Sequence, residues 1–141
     1  MSDMQDFNQA IIDEFRANHG VVGGGFAGAP VVLLTTKGAR SGLTRTNPLV
    51  GQRGGDGSMY VFASAAGSPK HPDWYHNLVA NPEVEFEFGD ERHDATASTV
   101  ESEERDEIYA RQVAAFPDFG AYEKKTTRVI PVIKLTPISP D

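Results

Sequence analysis

The spacing of apolar residues predicts two kinds of element along the chain. Between Met4 and Phe15, apolar residues recur at steps of three and four, which predicts an amphipathic helix over 4–18. Residues 30–36 combine an apolar run with β-branched side chains, which predicts a buried strand. Residues 83–88 alternate acidic and apolar side chains, which is typical of a strand with one solvated face.

Turn residues divide the rest of the chain into short elements. The other predicted strands span 43–52, 59–64, 91–100 and 128–135, and the other predicted helices span 72–80, 103–115 and 118–126. The 14 glycines and 9 prolines suit short strands and tight turns better than a helical bundle. About six mostly antiparallel strands with helices outside them favour a mainly β fold with helices (α+β). A small barrel would leave no exposed sheet edge.

Composition limits the classes of protein that the chain can represent. With 39% apolar residues and no cysteine, the chain has material for a core but no disulfide, thiolate metal site or cysteine nucleophile. No apolar run is long enough to span a membrane, and the acidic N-terminus does not resemble a signal peptide. We therefore expect one cytoplasmic domain over 1–141, with a helix in 1–18 and a polar tail at 136–141. Membrane association stays open.

The net charge of −7 conceals a basic segment. Its five basic residues are Lys37, Arg40, Arg45, Arg53 and Lys70. Because the same segment holds one acidic residue, Asp56, it carries +4 and the rest of the chain carries −11. An acidic protein repels nucleic acid, whereas a local basic segment favours a site for a small anion. A chance excess of bases on solvated strands is the alternative.

Other motifs are weaker. Gly23, Gly25 and Gly28 match the dinucleotide pattern G-x-G-x-x-G, but they follow a predicted helix and precede a strand, the reverse of that fingerprint. We interpret residues 20–29 as a connection or lid. His71 and His76 are five residues apart, which is not a metal-binding spacing on a helix, so no metal is expected.

Two segments have more specific chemistry. Residues 37–45 place two arginines, hydroxyl groups and glycines around one turn, and guanidinium groups with exposed backbone N–H groups bind phosphate. Residues 70–77 pair a lysine with Trp74 at the start of a predicted helix. That tryptophan can pack on a flat ring or can plug the mouth of the barrel.

Together these segments resemble the deazaflavin (F420)-dependent nitroreductase family, a branch of the split-barrel flavin-binding proteins found in mycobacteria and their relatives. The matching motifs are Thr35-Thr36-x-Gly38-x-Arg40-Ser41-Gly42-x-x-Arg45-x-Asn47-Pro48-Leu49, Ala63-Ser64, His71-Pro72-x-Trp74-Tyr75-x-Asn77-Leu78-x-Ala80-Asn81-Pro82, Glu103-Glu104-Arg105 and Arg128-x-Ile130-Pro131-Val132. The resemblance covers about residues 7 to 135 and implies a split β-barrel with peripheral helices.

The resemblance also implies roles for individual residues. The implied cofactor-binding residues are Lys37, Arg40, Ser41, Arg45, Asn47, Pro48, Ala63, Ser64, Lys70, Trp74 and Asn77. The basic residues would hold the phosphate and polyglutamate tail of F420, while Ser64 and nearby backbone N–H groups would stabilise charge on the deazaflavin ring. The implied substrate pocket is Val50, Phe116, Phe119 and Tyr122, with Tyr122 or a water molecule as the proton donor.

The implied function is an oxidoreductase that transfers a hydride from reduced F420 to an electron-poor, apolar small molecule. Members that reduce bulky nitroimidazoles carry tyrosines where this chain has Val50, Phe116 and Phe119, so an activated alkene, quinone or lactone fits better than a nitro compound. The alternatives are an FMN- or haem-binding split barrel, or a carrier of F420 without activity. A monomer and a homodimer are both compatible with the sequence.

Overall fold

The computed structural model describes residues 3–23, 29–54 and 57–138. Its helices are α1 (Asp3–Ala17), α2 (Asp73–Ala80), α3 (Ser102–Ala115) and α4 (Asp118–Lys125), with a short 3-10 helix at Ala65–Gly67. Its strands are β1 (Val31–Lys37), β2 (Thr44–Arg53), β3 (Met59–Phe62), β4 (Glu83–Phe88), β5 (Glu91–Val100) and β6 (Val132–Pro137).

The strands form a closed barrel in the order β1-β2-β3-β6-β5-β4, and β1 pairs with β4 to close it. Every strand pairing among the described residues is antiparallel. Alternate residues of the strands point inward and form an apolar interior that includes Val32, Leu34, Val61, Phe86 and Ile133. The predicted α+β barrel with peripheral helices is therefore confirmed.

Helices cover the outer faces of the barrel. Ile11, Ile12 and Phe15 of α1 pack against the outward-facing Val31 and Leu33 of β1. Helices α3 and α4 cover β3 and β6 through a second apolar cluster, described with the site below. Among the described residues, no helix has the length and apolar character needed to cross a membrane.

One stretch of β2 lacks a strand on its second side. Along Thr44–Val50 it pairs with β1, but it pairs with β3 only from Gly51 to Arg53. The β3-facing edge of residues 44–50 therefore has no strand partner within the described part of the chain. This gap is the split in the barrel, and it exposes backbone and side chains that a closed sheet would cover.

The predicted last strand and tail are wrong at their boundaries. The strand begins at Val132 rather than at 128, and it continues to Pro137 instead of ending before 136. Pro131 has no N–H to donate, which delays the start of the ladder, while Pro137 pairs with Ala95 at its far end. Residues 24–28 of the predicted connection or lid, and residues 139–141 of the tail, lie outside the described residues.

Candidate active site

The open stretch of β2 borders the loop that leaves β3. The pairing of Gly51 with Val61 is the last of the β2–β3 ladder, and Ala63 and Ser64 follow directly after β3. We call the region between 45–50 of β2 and the loop 63–71 the β2 cleft. Most of the residues predicted to bind cofactor lie on its two sides and on the β1–β2 turn at its end, whereas Trp74 and Asn77 belong to α2.

Four basic side chains, at the β1–β2 turn, on β2 and on the loop 63–71, are exposed and carry no compensating carboxylate. Within the described part of the chain, no ion pair or hydrogen bond involves the side chains of Lys37, Arg40, Arg45 and Lys70. Elsewhere, Arg16 and Arg92 pair with carboxylates at 2.8 and 2.5 Å. The protein is net acidic, so this unpaired group is available to bind an anion.

Helix α2 holds the basic turn in place. The side-chain oxygen of Asn77 accepts a hydrogen bond from the backbone N–H of Ala39 at 3.0 Å, and its amide nitrogen donates to Thr36 Oγ1 at 3.4 Å. Asn81 donates to the carbonyl of Lys37 at 3.3 Å. Ser41 Oγ accepts the backbone N–H of Leu43 at 3.2 Å and tightens the turn further. Asn77, predicted as a cofactor ligand, therefore also positions the turn.

Trp74 lies in the apolar interior of the barrel. It is 6% exposed and packs in the same cluster as Leu34, Val61 and Leu78. This location agrees with the alternative that the tryptophan plugs the barrel. Asn47 pairs across the sheet with Leu34, and Pro48 pairs with Leu33, so these two neighbours face opposite sides of β2.

Arg128 organises the loop side of the cleft. Its guanidinium donates to the carbonyl oxygens of Ala63 at 3.0 Å, Ser64 at 2.9 Å and Ser68 at 3.0 Å. A fourth contact joins its Nη1 to Nδ1 of His71 at 3.0 Å. The sequence shows Arg128 only as part of a family motif, because backbone carbonyl partners leave no signal in residue identities.

His71 is held as a neutral imidazole. Arginine only donates hydrogen bonds, so Nδ1 of His71 must be the unprotonated acceptor. Burial is the main cause that lowers the pKa of His71, and the nearby charges of Arg128 and His76 lower it further. Its ring also lies 4.7 Å from that of Tyr75. The interaction with Arg128 therefore persists at neutral pH.

The four predicted pocket residues are brought together. Val50, Phe116, Phe119 and Tyr122 belong to one apolar cluster between α3, α4 and the outer face of the barrel. The rings of Phe119 and Tyr122 are 5.3 Å apart, and Phe119 also contacts Phe62 at 5.6 Å. Val50 borders the β2 cleft, so this cluster adjoins the predicted cofactor residues.

Two tyrosines of this cluster, Tyr109 and Tyr122, have different environments. Tyr122 is half-buried, and its hydroxyl has no hydrogen-bond partner among the described residues. Tyr109 is 2% exposed and donates to the carbonyl of Phe119 at 2.7 Å. Burial, with a smaller effect of Glu123, raises the pKa of Tyr109 to about 12. Tyr109 therefore stays protonated and fixes α4, whereas the hydroxyl of Tyr122 is free.

Two surface grooves have linings that include carboxylates. One, of about 370 Å³ between α3 and α4, is lined by Arg105, Tyr109 and Glu123 among others. Another, of about 400 Å³, lies beside the β1–β2 turn, where Lys37 lines it together with three carboxylates, Glu83, Glu85 and Asp94. Carboxylates outnumber basic residues in both linings, which disfavours an anionic cofactor. No cluster of potential metal ligands occurs in the described part of the chain.

Comparison with known proteins points to one family. The family model for F420H(2)-dependent quinone reductases matches residues 9–137. An F420H(2)-dependent quinone reductase of Mycobacterium tuberculosis is 40% identical over 128 residues, which cover 86% of this chain and 84% of the relative. The solved structure of an F420-H2 dependent reductase is 43% identical, with a TM-score of 0.69, and covers 75% of this chain and 93% of its own.

A second solved structure, of a domain-swapped dimer, is 34% identical with a TM-score of 0.72, covering 95% of this chain and 99% of that one. A haem storage protein of Vibrio cholerae is 20% identical with a TM-score of 0.60, a likeness of fold alone. These matches confirm the predicted resemblance, the oxidoreductase class and reduced F420 as the hydride donor of the family. The chain belongs to the F420H(2)-dependent quinone reductase family.

Proposed function

We propose that this protein is an F420H2-dependent reductase that binds its cofactor in the β2 cleft and reduces an apolar quinone or a related activated alkene. The observation that carries the proposal is the set of unpaired bases at the end of the cleft in an otherwise acidic protein. F420 carries a phosphodiester and a polyglutamate tail, so its charge is complementary to these bases.

The residues present fit such a cofactor. Arg40 and Arg45 would hold the phosphate and the acidic tail, because a guanidinium can donate two parallel hydrogen bonds to a phosphate or a carboxylate. Lys37 and Lys70 would add positive charge beside them. Ser41, Asn47 and Pro48 would line the groove, and Asn77 would keep the turn in position. The ring would lie toward Ala63 and Ser64, while Trp74 closes the floor from inside the barrel.

When bound, reduced F420 supplies a hydride from C5. The protein contributes position, charge and exclusion of water. Apolar side chains at Val50, Phe116 and Phe119 would hold a flat acceptor by burial and ring packing. Backbone N–H groups near Ser64 would stabilise the charge that changes on the ring. The hydroxyl of Tyr122 would deliver the proton, with a water molecule as the alternative donor.

The substrate class follows from the pocket walls and from the family. The walls offer one free hydroxyl, that of Tyr122, and otherwise apolar surface, which favours a planar acceptor with few polar groups. Quinones fulfil this description, and the 40% identical relative from Mycobacterium tuberculosis is an F420H(2)-dependent quinone reductase. A small apolar molecule is therefore the proposed partner, and nucleic acid is not. The 34% identical relative that forms a domain-swapped dimer supports a homodimer over a monomer.

The proposal is tested by mixing the purified protein anaerobically with chemically reduced F420 and a soluble naphthoquinone. Recovery of the visible absorbance of oxidised F420, dependent on protein and quinone together, is the expected result. Binding of F420 without turnover of any quinone, enone or lactone would instead indicate a carrier. Tight binding of FMN or haem in place of F420 would contradict the proposal.

A further inference from the structure

We propose that Arg128 is a positioning residue that shapes the backbone of Ser64 and Ala65 into an anion-binding nest, and that His71 makes this nest dependent on pH. The inference rests on the proposed function, since the anion that the nest would receive is the charged edge of the bound F420 ring. Neither Arg128 nor His71 is among the residues that the sequence assigns to the cofactor.

The carbonyl groups of two consecutive residues are fixed by one guanidinium. Arg128 Nη1 holds the carbonyl of Ala63 and Nη2 holds that of Ser64, at 3.0 and 2.9 Å. In a trans peptide the N–H points opposite to the C=O. The N–H groups of Ser64 and Ala65 therefore point away from Arg128.

The backbone angles of these residues are those of a nest. Ser64 has φ −77° and ψ −34°, in the right-handed region, and Ala65 has φ 45°, in the left-handed region. Consecutive residues of this kind direct their N–H groups into one concavity that binds anions. A left-handed alanine is strained and persists only where its surroundings enforce it. The four contacts of Arg128 supply that enforcement.

The far end of the loop is also anchored. Gly67 has φ +84° and donates its N–H to the carbonyl of Ser64 at 2.9 Å. A Cβ at Gly67 would stand 3.0 Å from the side chain of Lys125 and 3.1 Å from the carbonyl of Tyr122, so the loop lies directly on α4. The nest is thus fixed between Arg128 and the helix that carries the proposed proton donor.

His71 links this arrangement to pH. The charged and titratable groups around its ring are Arg128, His76 and Tyr75, and the first two oppose a positive charge on it. Protonation of Nδ1 would remove the acceptor of Arg128 and place two positive charges about 3 Å apart. The guanidinium would then shift, and the carbonyls that form the nest would lose their common donor.

The direction of the pH effect follows from the lowered pKa of His71. An unfolded chain protonates this histidine below about pH 6.5, whereas the folded chain resists the proton until lower pH. Stability from the His71–Arg128 contact is therefore complete above about pH 6.5 and is lost as the pH falls below it. Affinity for F420 follows the folded pKa and falls in the acidic range.

The first experiment uses the protein without cofactor. NMR titration of the imidazole resonances gives the pKa of His71 in the wild type and in Arg128→Gln, which removes the charge. We expect the pKa of His71 to rise in this variant while the thermal transition stays cooperative. An unchanged pKa would overturn the coupling between the two residues, whatever the protein binds.

The second experiment measures the dissociation constant for F420 from about pH 5.5 to 8, a range that spans the ordinary pKa of histidine. Arg128→Lys keeps the charge but cannot span four acceptors, and we expect affinity to fall tenfold or more at pH 7.5. Arg105→Lys is the matched control, because Arg105 also binds a backbone carbonyl, that of Ile130 at 2.8 Å, outside the cleft. We expect it to stay within twofold of the wild type.

His71→Asn tests the role of the histidine, because the asparagine side-chain oxygen can accept a hydrogen bond from Arg128 but does not titrate. We expect nearly wild-type affinity at pH 7.5 and a smaller loss of affinity at pH 5.5. Equal pH profiles for this variant and the wild type would overturn the role of His71. An Arg128→Lys affinity within twofold of the wild type would overturn the nest. A wild type that binds no F420 would reject the proposed function instead.

Discussion

Removal of the charge at Arg45 should weaken F420 binding much more than removal of a similar charge elsewhere on the same strand. Arg45 is exposed at the open end of β2, and it forms no ion pair in the described part of the chain. No native interaction has to be broken before it can bind the cofactor. A hydrogen bond to a charged group contributes about 1.5–3 kcal/mol, and about 1.4 kcal/mol corresponds to a tenfold change in affinity.

We therefore expect Arg45→Gln to raise the dissociation constant for F420 by about tenfold to a hundredfold. The dissociation constant of Arg45→Lys should lie between those of the wild type and of Arg45→Gln. Lysine keeps the positive charge but lacks the planar guanidinium that can bind an oxyanion through two hydrogen bonds. Arg53→Gln is the matched control. Arg53 lies on the same face of β2 eight residues further along, and its guanidinium packs 5.2 Å from the ring of Phe88 instead of at the cleft.

The assay is titration of F420 fluorescence at low and at high salt. The loss of F420 affinity caused by Arg45→Gln should be smaller at high ionic strength, because salt screens exposed charges. Equal losses for Arg45→Gln and Arg53→Gln would mean that only the net charge of the protein matters. A wild-type affinity for Arg45→Gln would refute the assignment of the cofactor tail to this end of the cleft.

Other variants test the remaining parts of the account. Asn77→Ala removes the acceptor of the Ala39 N–H and should weaken the affinity for F420 severalfold. The affinity for an apolar quinone, titrated separately, should not change. Tyr122→Phe should lower the maximal rate by about 10²-fold with little change in cofactor affinity if the hydroxyl donates the proton, whereas an unchanged rate would leave water as the donor. Arg105→Met should destabilise folding by about 1–3 kcal/mol in urea denaturation, because it leaves a buried carbonyl without its donor. Arg92→Met, at an exposed ion pair, should change stability little, and equal effects of the two variants would contradict this difference.

Much of the fold follows from local patterns in the sequence. Strands β1 and β4 are recognisable because an apolar run and a strict alternation each specify which face is buried. The start of β6 is not recognisable in the same way. The apolar run before it continues through Ile130, but Pro131 cannot donate to the ladder, so the strand begins only at Val132.

In the candidate site, too, some residues can be recognised from the sequence and others only from the tertiary structure. Its basic residues are visible in the sequence because three of them, Lys37, Arg40 and Arg45, cluster around one turn against an acidic background. Arg128 is not visible in this way, since its partners are backbone carbonyls and a histidine 57 residues away. The burial of Trp74 inside the barrel likewise depends on where α2 enters, which tertiary packing decides.

The most direct test of the central claim is the affinity of the wild-type protein for F420 and for FMN, measured side by side in the same buffer. We expect tighter binding of F420, because its phosphodiester and polyglutamate tail carry more negative charge than FMN and meet the unpaired bases of the cleft. Removal of the glutamates from F420 should reduce this preference. Equal affinity for the two cofactors, or tighter binding of FMN, would contradict the account.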